Sequence, residues 1–220
     1  MTGDASLAKR PMERIAKPLR LMGADIQTTG ERGTPPVSVH GVTTAAKGGL
    51  KGIHYDMPVA SAQVKSGVLL AGLWADGETS VTEPAPTRDH TERMLKGFGY
   101  EVKVQGATAS LRGGGKLTAT KIDVPSDISS AAFFLVAASI APNSDLTLEH
   151  VGINPTRVGV INILKAMGGN LEVFNEREIG GEPVADIRVR SAQLKGINIP
   201  DDQVPLAIDE FPALFIAAAC

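Results

Sequence analysis

Only one cysteine, Cys220, occurs in 220 residues, so no intramolecular disulfide can form and a cysteine-based zinc site cannot be completed. A lone thiol fits a reducing compartment, and a cytoplasmic location is the expectation. Aromatic residues make up 4% of the chain, so packing within its 43% apolar content falls to Ala, Val, Leu and Ile. Neither sign of charge dominates. With 22 basic against 24 acidic residues the net charge is −2, and neither nucleic acid nor an anionic membrane is an expected partner. No apolar run reaches the roughly 18 residues of a membrane span, and the longest, near 131–140, fits a buried helix. The early residues mix Asp4, Lys9, Arg10, Glu13 and Arg14 without the apolar stretch of a secretory signal. His40, His54, His90 and His150 lack metal-ligand spacing, and no nucleophile elbow is present. Lys47-Gly48-Gly49 and Gly113-Gly114-Gly115 lack the strand-to-helix setting of a phosphate-binding glycine loop.

What is present is a repeat. Pro86-Thr87-Arg88 leads into Leu95-Lys96, Gly97-Phe98-Gly99 and the strand-like segment 100–104. Pro155-Thr156-Arg157 leads with the same spacing into Leu164-Lys165, Ala166-Met167-Gly168 and Leu171-Glu172-Val173. A weaker copy runs from Arg10-Pro11 through Leu19-Arg20 to Gly23 and Ile26. Each helix ends in Gly, which takes the left-handed conformation without a Cβ penalty and turns the chain into a strand. A second helix precedes two of these elements, at 60–74 and 127–140, and a third copy begins at Ile208. Internal repeats decide a fold before other features do. The expectation is an α/β (α+β) repeat, incomplete at both ends, in a piece of a longer protein.

Apolar spacing predicts a helix over 10–22, kinked or broken at Pro18, and helices over 60–74, 87–98, 127–140 and 156–167. Asp127 is the predicted N-cap of the fourth. Strands are predicted at 25–29, 37–41, 50–54, 79–82, 100–104, 107–111, 117–122, 145–149, 170–174 and 184–190. The domain boundary is placed near Pro125-Ser126.

Four places carry candidate chemistry. Ser61, Gln63 and Lys65 gather at a helix N-terminus, where free N–H groups and about half a positive charge suit phosphate or carboxylate; Ser61 as a simple cap is the alternative. Lys9-Arg10 is either an anion grip or a solvated pair. Arg88 and Arg157 occupy equivalent repeat positions, where one copy can bind an anion while the other packs or pairs. Asp209-Glu210 either complements a helix dipole or moves a proton at a cleft. The residues leave each choice open.

Four stretches decide more than spacing does: TGDASLAKRPM at 2–12, SAQVKSGVLLAGL at 61–73 followed by PTRDHTERML at 86–95, DISSAAFFLVAA at 127–138, and IDEFPALFIAAA at 208–219. In this order they resemble the enolpyruvyl transferases, most closely the branch acting on shikimate 3-phosphate. The resemblance implies two globular domains, each of three βαβαββ copies with helices inside and sheets outside, closing on substrate. It implies transfer of the enolpyruvyl group of phosphoenolpyruvate to the 5-hydroxyl of shikimate 3-phosphate, on the route to chorismate and aromatic amino acids that glyphosate targets. It implies no organic cofactor and no metal. By this resemblance Arg10 binds the phosphoenolpyruvate carboxylate, Ser61 and Gln63 hold shikimate 3-phosphate, and Arg88 is a phosphate-side ligand. Asp209 contacts the shikimate hydroxyls and accepts the proton of the 5-hydroxyl. Ala62 stands where many members have Ser, leaving its backbone N–H alone to contribute. Residues 1–125 correspond to part of the domain that grips shikimate 3-phosphate, and 126–220 to part of the second.

The early Lys-Ser segment, the Asn-Ala-Gly-Thr…Arg loop and the late Lys-Glu-Ser-Asp-Arg motif of that family are missing from these 220 residues. The expectation is therefore a central portion that is inactive alone and that associates with itself or with a complementing fragment. Two alternatives are a UDP-N-acetylglucosamine enolpyruvyl transferase, which typically uses a loop Cys, and a non-catalytic anion-binding module on the same repeat. Thr87-Arg88-Asp89-His90-Thr91-Glu92 favours the shikimate 3-phosphate branch over the first.

Overall fold

The computed structural model describes residues 1–41 and 49–220; Lys47 and Gly48 of the first glycine signal lie outside them. The described chain divides into two compact units, Met1–Ala119 and Thr120–Cys220.

In unit 1, helix α1 (Glu13–Leu21) is followed by the antiparallel pair β1 (Asp25–Thr28) and β2 (Val37–His40). Short strands β3 (Leu50–Lys51) and β4 (His54–Asp56) lead to α2 (Ala62–Gly72), then β5 (Ala75–Asp76), β6 (Glu78–Thr82), α3 (His90–Gly97), β7 (Lys103–Gln105) and β8 (Thr108–Arg112). The main sheet has the order β4-β6-β8-β7. Its β4–β6 pair is parallel, with α2 as the crossover, and the other pairs are antiparallel. From β4 onward this is a βαβαββ unit, with β3 and β5 as an added parallel pair. The predicted strand at 50–54 is therefore divided between two sheets. Val64, Val68 and Leu69 of α2 pack with Val81, Leu95 and Leu111 in the core.

In unit 2, α4 (Ile128–Ile140), β9 (Asp145–Gly152), α5 (Gly159–Ala166), β10 (Asn170–Ile179) and β11 (Glu182–Arg190) form the second copy. The antiparallel sheet has the order β10-β11-β9. The strand expected ahead of α4 is reduced to one parallel bridge, Ser126 with Val151. Helix α6 (Phe211–Ala219) packs beside α4. Both helices are apolar around most of their circumference. Leu135 and Val136 face the core together with Leu214 and Ala217. Phe133, Phe134, Phe215 and Ile216 stay exposed at 64%, 58%, 64% and 55%, so each helix turns a pair of large apolar side chains to solvent.

The three helix ends close identically. The N–H groups of Gly23, Gly99 and Gly168 donate to the carbonyls of Arg20, Lys96 and Lys165, and those of Ala24, Tyr100 and Gly169 to Leu19, Leu95 and Leu164. This is the Schellman pattern, with each Gly at positive φ (96°, 74° and 89°).

Some expectations are corrected. Pro18 does not break α1, which runs to Leu21; it forgoes the bond to the Arg14 carbonyl but buries its ring. Residues 117–122 form no strand: Thr118 N–H donates to the Phe98 carbonyl, and the segment joins no ladder among the described residues. Helix α6 starts at Phe211, later than Ile208, leaving Glu210 at the N-cap and Asp209 before the helix. Asp127 does cap α4, accepting from Ser130 N–H at 2.9 Å.

Glu13 ties α1 to β1. It receives two hydrogen bonds from Arg20, at 2.8 and 3.0 Å, and one from the Thr28 hydroxyl. Those bonds, led by the one from Arg20, lower its carboxyl from 4.5 to about 2. A depressed folded-state value stabilises above the unfolded value and is lost as pH falls through the folded one. The stability difference between the unaltered chain and Glu13→Gln should therefore shrink between pH 5 and pH 2 in urea titrations, from an exposed-pair contribution below about 1 kcal/mol.

Candidate anion site at the N-terminus of α2

The first turn of α2 leaves backbone N–H groups without intrahelical partners. Ser61 is the N-cap, in extended conformation, and its hydroxyl accepts from Val64 N–H at 3.4 Å. Gln63 is exposed one residue into the helix, and Ser61 and Ala62 are half-buried. The helix is long enough for its dipole to favour an anion at this end.

Lys65 differs from its expected place. Rather than joining Ser61 and Gln63 at the surface, it is 1% exposed and turned into unit 1. Its Nζ lies 2.8 Å from both Glu83 Oε1 and Glu92 Oε1. Burial alone would push Lys65 down, but the hydrogen bonds to the two carboxylates hold it above its ordinary value. Glu83 also accepts from the Thr87 hydroxyl, and Thr91 donates to Ser66 at 2.7 Å. Glu92 Oε2 is buried with no hydrogen-bond partner among the described residues. The half-buried Arg88, one residue after Thr87, thus lies on a segment tied to the first turns of α2. Neither Glu83 nor Glu92 was singled out from sequence. The available signal was a lysine sharing a helix face with Val64, Val68 and Leu69.

Arg10 is placed differently. It follows a short 3-10 turn (Leu7–Lys9), it and Lys9 are exposed, and its N–H donates to the Leu7 carbonyl. Among the described residues its side chain makes no hydrogen bond or ion pair with Ser61, Gln63 or Arg88.

In unit 2 the equivalent arginine is structural. Arg157 reaches Asp127 Oδ1 at 3.2 Å, the Ser129 hydroxyl, and Glu210 Oε1 at 3.7 Å; Ser129 donates to the same Glu210 oxygen. Burial would raise Asp127, but hydrogen bonds from Ser130 and the charge of Arg157 hold it below its ordinary value. Glu210 is 3% exposed, whereas Asp209 beside it is exposed. Among the described residues, no group of three His, Cys, Asp or Glu side chains is arranged to hold a metal, and no helix is long and apolar enough to cross a membrane.

Known proteins share this sequence and fold. The family model of EPSP synthase (3-phosphoshikimate 1-carboxyvinyltransferase) matches residues 1–220. A 3-phosphoshikimate 1-carboxyvinyltransferase of Methylococcus capsulatus is 64% identical over all of this chain and 49% of its own length. That of Halorhodospira halophila is 65% identical, with 48% of its length covered. The solved EPSP synthase from Acinetobacter baumannii superposes with a TM-score of 0.90 at 72% identity, across all of this chain and 49% of that one. The chain thus spans about half the length of these relatives. With sequence and backbone matching from the first residue to the last, the chain belongs to the EPSP synthase family.

Proposed function

We propose that this chain is part of an enzyme that moves the enolpyruvyl group of phosphoenolpyruvate to the 5-hydroxyl of shikimate 3-phosphate and releases phosphate. The observation that carries the reading is the family match over all 220 residues, joined at α2 by a capped helix N-terminus with an exposed amide side chain beside it. Ser61 and Gln63 hold shikimate 3-phosphate, with the α2 N–H groups and Arg88 facing its phosphate. Arg10 receives the carboxylate of phosphoenolpyruvate. Asp209 contacts the shikimate hydroxyls and accepts the proton leaving the 5-hydroxyl. Residues 1–125 belong to the domain that grips shikimate 3-phosphate and the remainder to the second domain.

Calorimetric titration of the 220-residue chain with shikimate 3-phosphate, with UDP-N-acetylglucosamine as control, tests the substrate assignment. Saturable binding of the first alone is the expected outcome. Binding of the control alone would move the chain to the other branch of the superfamily. Binding of neither would remove Ser61, Gln63 and Arg88 as a site that this chain forms by itself.

A further inference from the structure

We infer that Lys65 is a positioning residue for shikimate 3-phosphate, its buried ammonium fastening both ends of the Arg88-bearing segment to the first turn of α2. This rests on the function proposed above.

The geometry is specific. Glu83 opens the segment that follows β6, and Glu92 lies in the first turn of α3; Lys65 Nζ contacts both at 2.8 Å. Between them, Thr87 is held by the second oxygen of Glu83. Thr91 is held by Ser66, the neighbour of Lys65 on α2. Arg88 therefore has an anchored residue immediately before it and two shortly after it. Lys65 N–H also donates to the Ser61 carbonyl at 3.1 Å. One residue thus connects the cap that faces the ligand to the loop that carries the arginine. Stability alone accounts poorly for this choice, since well-packed apolar side chains commonly replace buried ion clusters without loss. An ammonium with two directed bonds does what an apolar side chain cannot: it sets where two separate backbone segments lie relative to one helix turn.

The test is a double-mutant cycle in the 220-residue chain, read by calorimetric titration with shikimate 3-phosphate well below each variant's melting temperature. Lys65→Met should weaken binding about tenfold in the unaltered background and less than about threefold in Arg88→Lys, because the two residues act on one contact. Val68→Ala, a core truncation on the same helix, should lower the melting temperature and leave the affinity unchanged. Should Lys65→Met fail to fold, Thr87→Val and Glu83→Gln interrupt the same linkage beside Arg88 and should show the same non-additivity. Additive effects, or a lowered melting temperature with unchanged affinity, would overturn the inference while the proposed function stands. Failure of the unaltered chain to bind would overturn the inference together with Ser61, Gln63 and Arg88 as a site that this chain forms by itself.

Discussion

Glu210→Ala is expected to destabilise unit 2 by about 2–3 kcal/mol. Removing one member of a buried ion pair typically costs about 3–5 kcal/mol, because the other charge is left without compensation. Here the cost falls below that range, since Arg157 keeps Asp127 at 3.2 Å. Ser129 loses the acceptor for its hydroxyl, and the N-cap of α6 loses its tie to α4. Glu210→Gln retains an acceptor for Ser129 and should cost about 1 kcal/mol, the net worth of a hydrogen bond. The single tryptophan, Trp74, lies in unit 1, so its fluorescence follows unit 1 while the far-ultraviolet circular dichroism follows both units in the same denaturant titration. The dichroism transition should shift while the Trp74 transition does not. A shift below about 0.5 kcal/mol, the scatter of surface substitutions, would mean that the Arg157–Glu210 contact holds nothing. Under the proposed function the same anchor fixes the backbone of Asp209, so Glu210 is also where a stability change would reach the acid.

Gly113→Ala is expected to cost about 3 kcal/mol or more in unit 1, beyond ordinary overpacking, because the obstacle is backbone. A Cβ there would stand 2.0 Å from the Ala75 carbonyl oxygen and 2.5 Å from that of Gly72. The end of β8 is held by Gly114 N–H to the Leu73 carbonyl of the α2–β5 turn and by Gly113 N–H to the carbonyl of Gly77, between β5 and β6, so it cannot retreat without losing both bonds. Gly114 is the control. It has open space around it but a φ of +82°, and Gly114→Ala should cost about 1–2 kcal/mol from backbone conformation alone. The Trp74 unfolding midpoint should order the variants as unaltered, Gly114→Ala, Gly113→Ala. Equal costs would show that the approach at Gly113 relaxes freely. From sequence the three glycines 113–115 form only a turn. That one of them is required for contact and its neighbour for conformation depends on a strand and a helix forty residues apart.

Legibility followed the range of the forces involved. The closures at Gly23, Gly99 and Gly168 each involve six consecutive residues, so their Leu-Lys or Leu-Arg run and Gly could be read directly. The Asp127 cap needs only Ser130. Ser61 was legible as a cap for the same reason, and the repeat followed from the recurrence of these local signals. The segment 117–122 alternates like a strand but is none, since pairing needs a neighbour that local pattern does not supply. Likewise 50–54 reads as one strand, which tertiary pairing divided between β5 and β6.

Charged residues drew the sharpest line. Lys65, Glu92 and Glu210 carry side chains that sequence alone places in solvent, and all three are buried. Each is paid for by partners far along the chain: Lys65 by Glu83 and Glu92, Glu210 by Ser129 and Arg157. By itself the sequence determined the helices, their caps, their glycine stops and the family, because short-range hydrogen bonds and backbone conformation are encoded by neighbouring residues. Only the tertiary structure decided which charges turn inward, because the desolvation of a charge is offset by groups that the fold, not the chain order, brings within 4 Å.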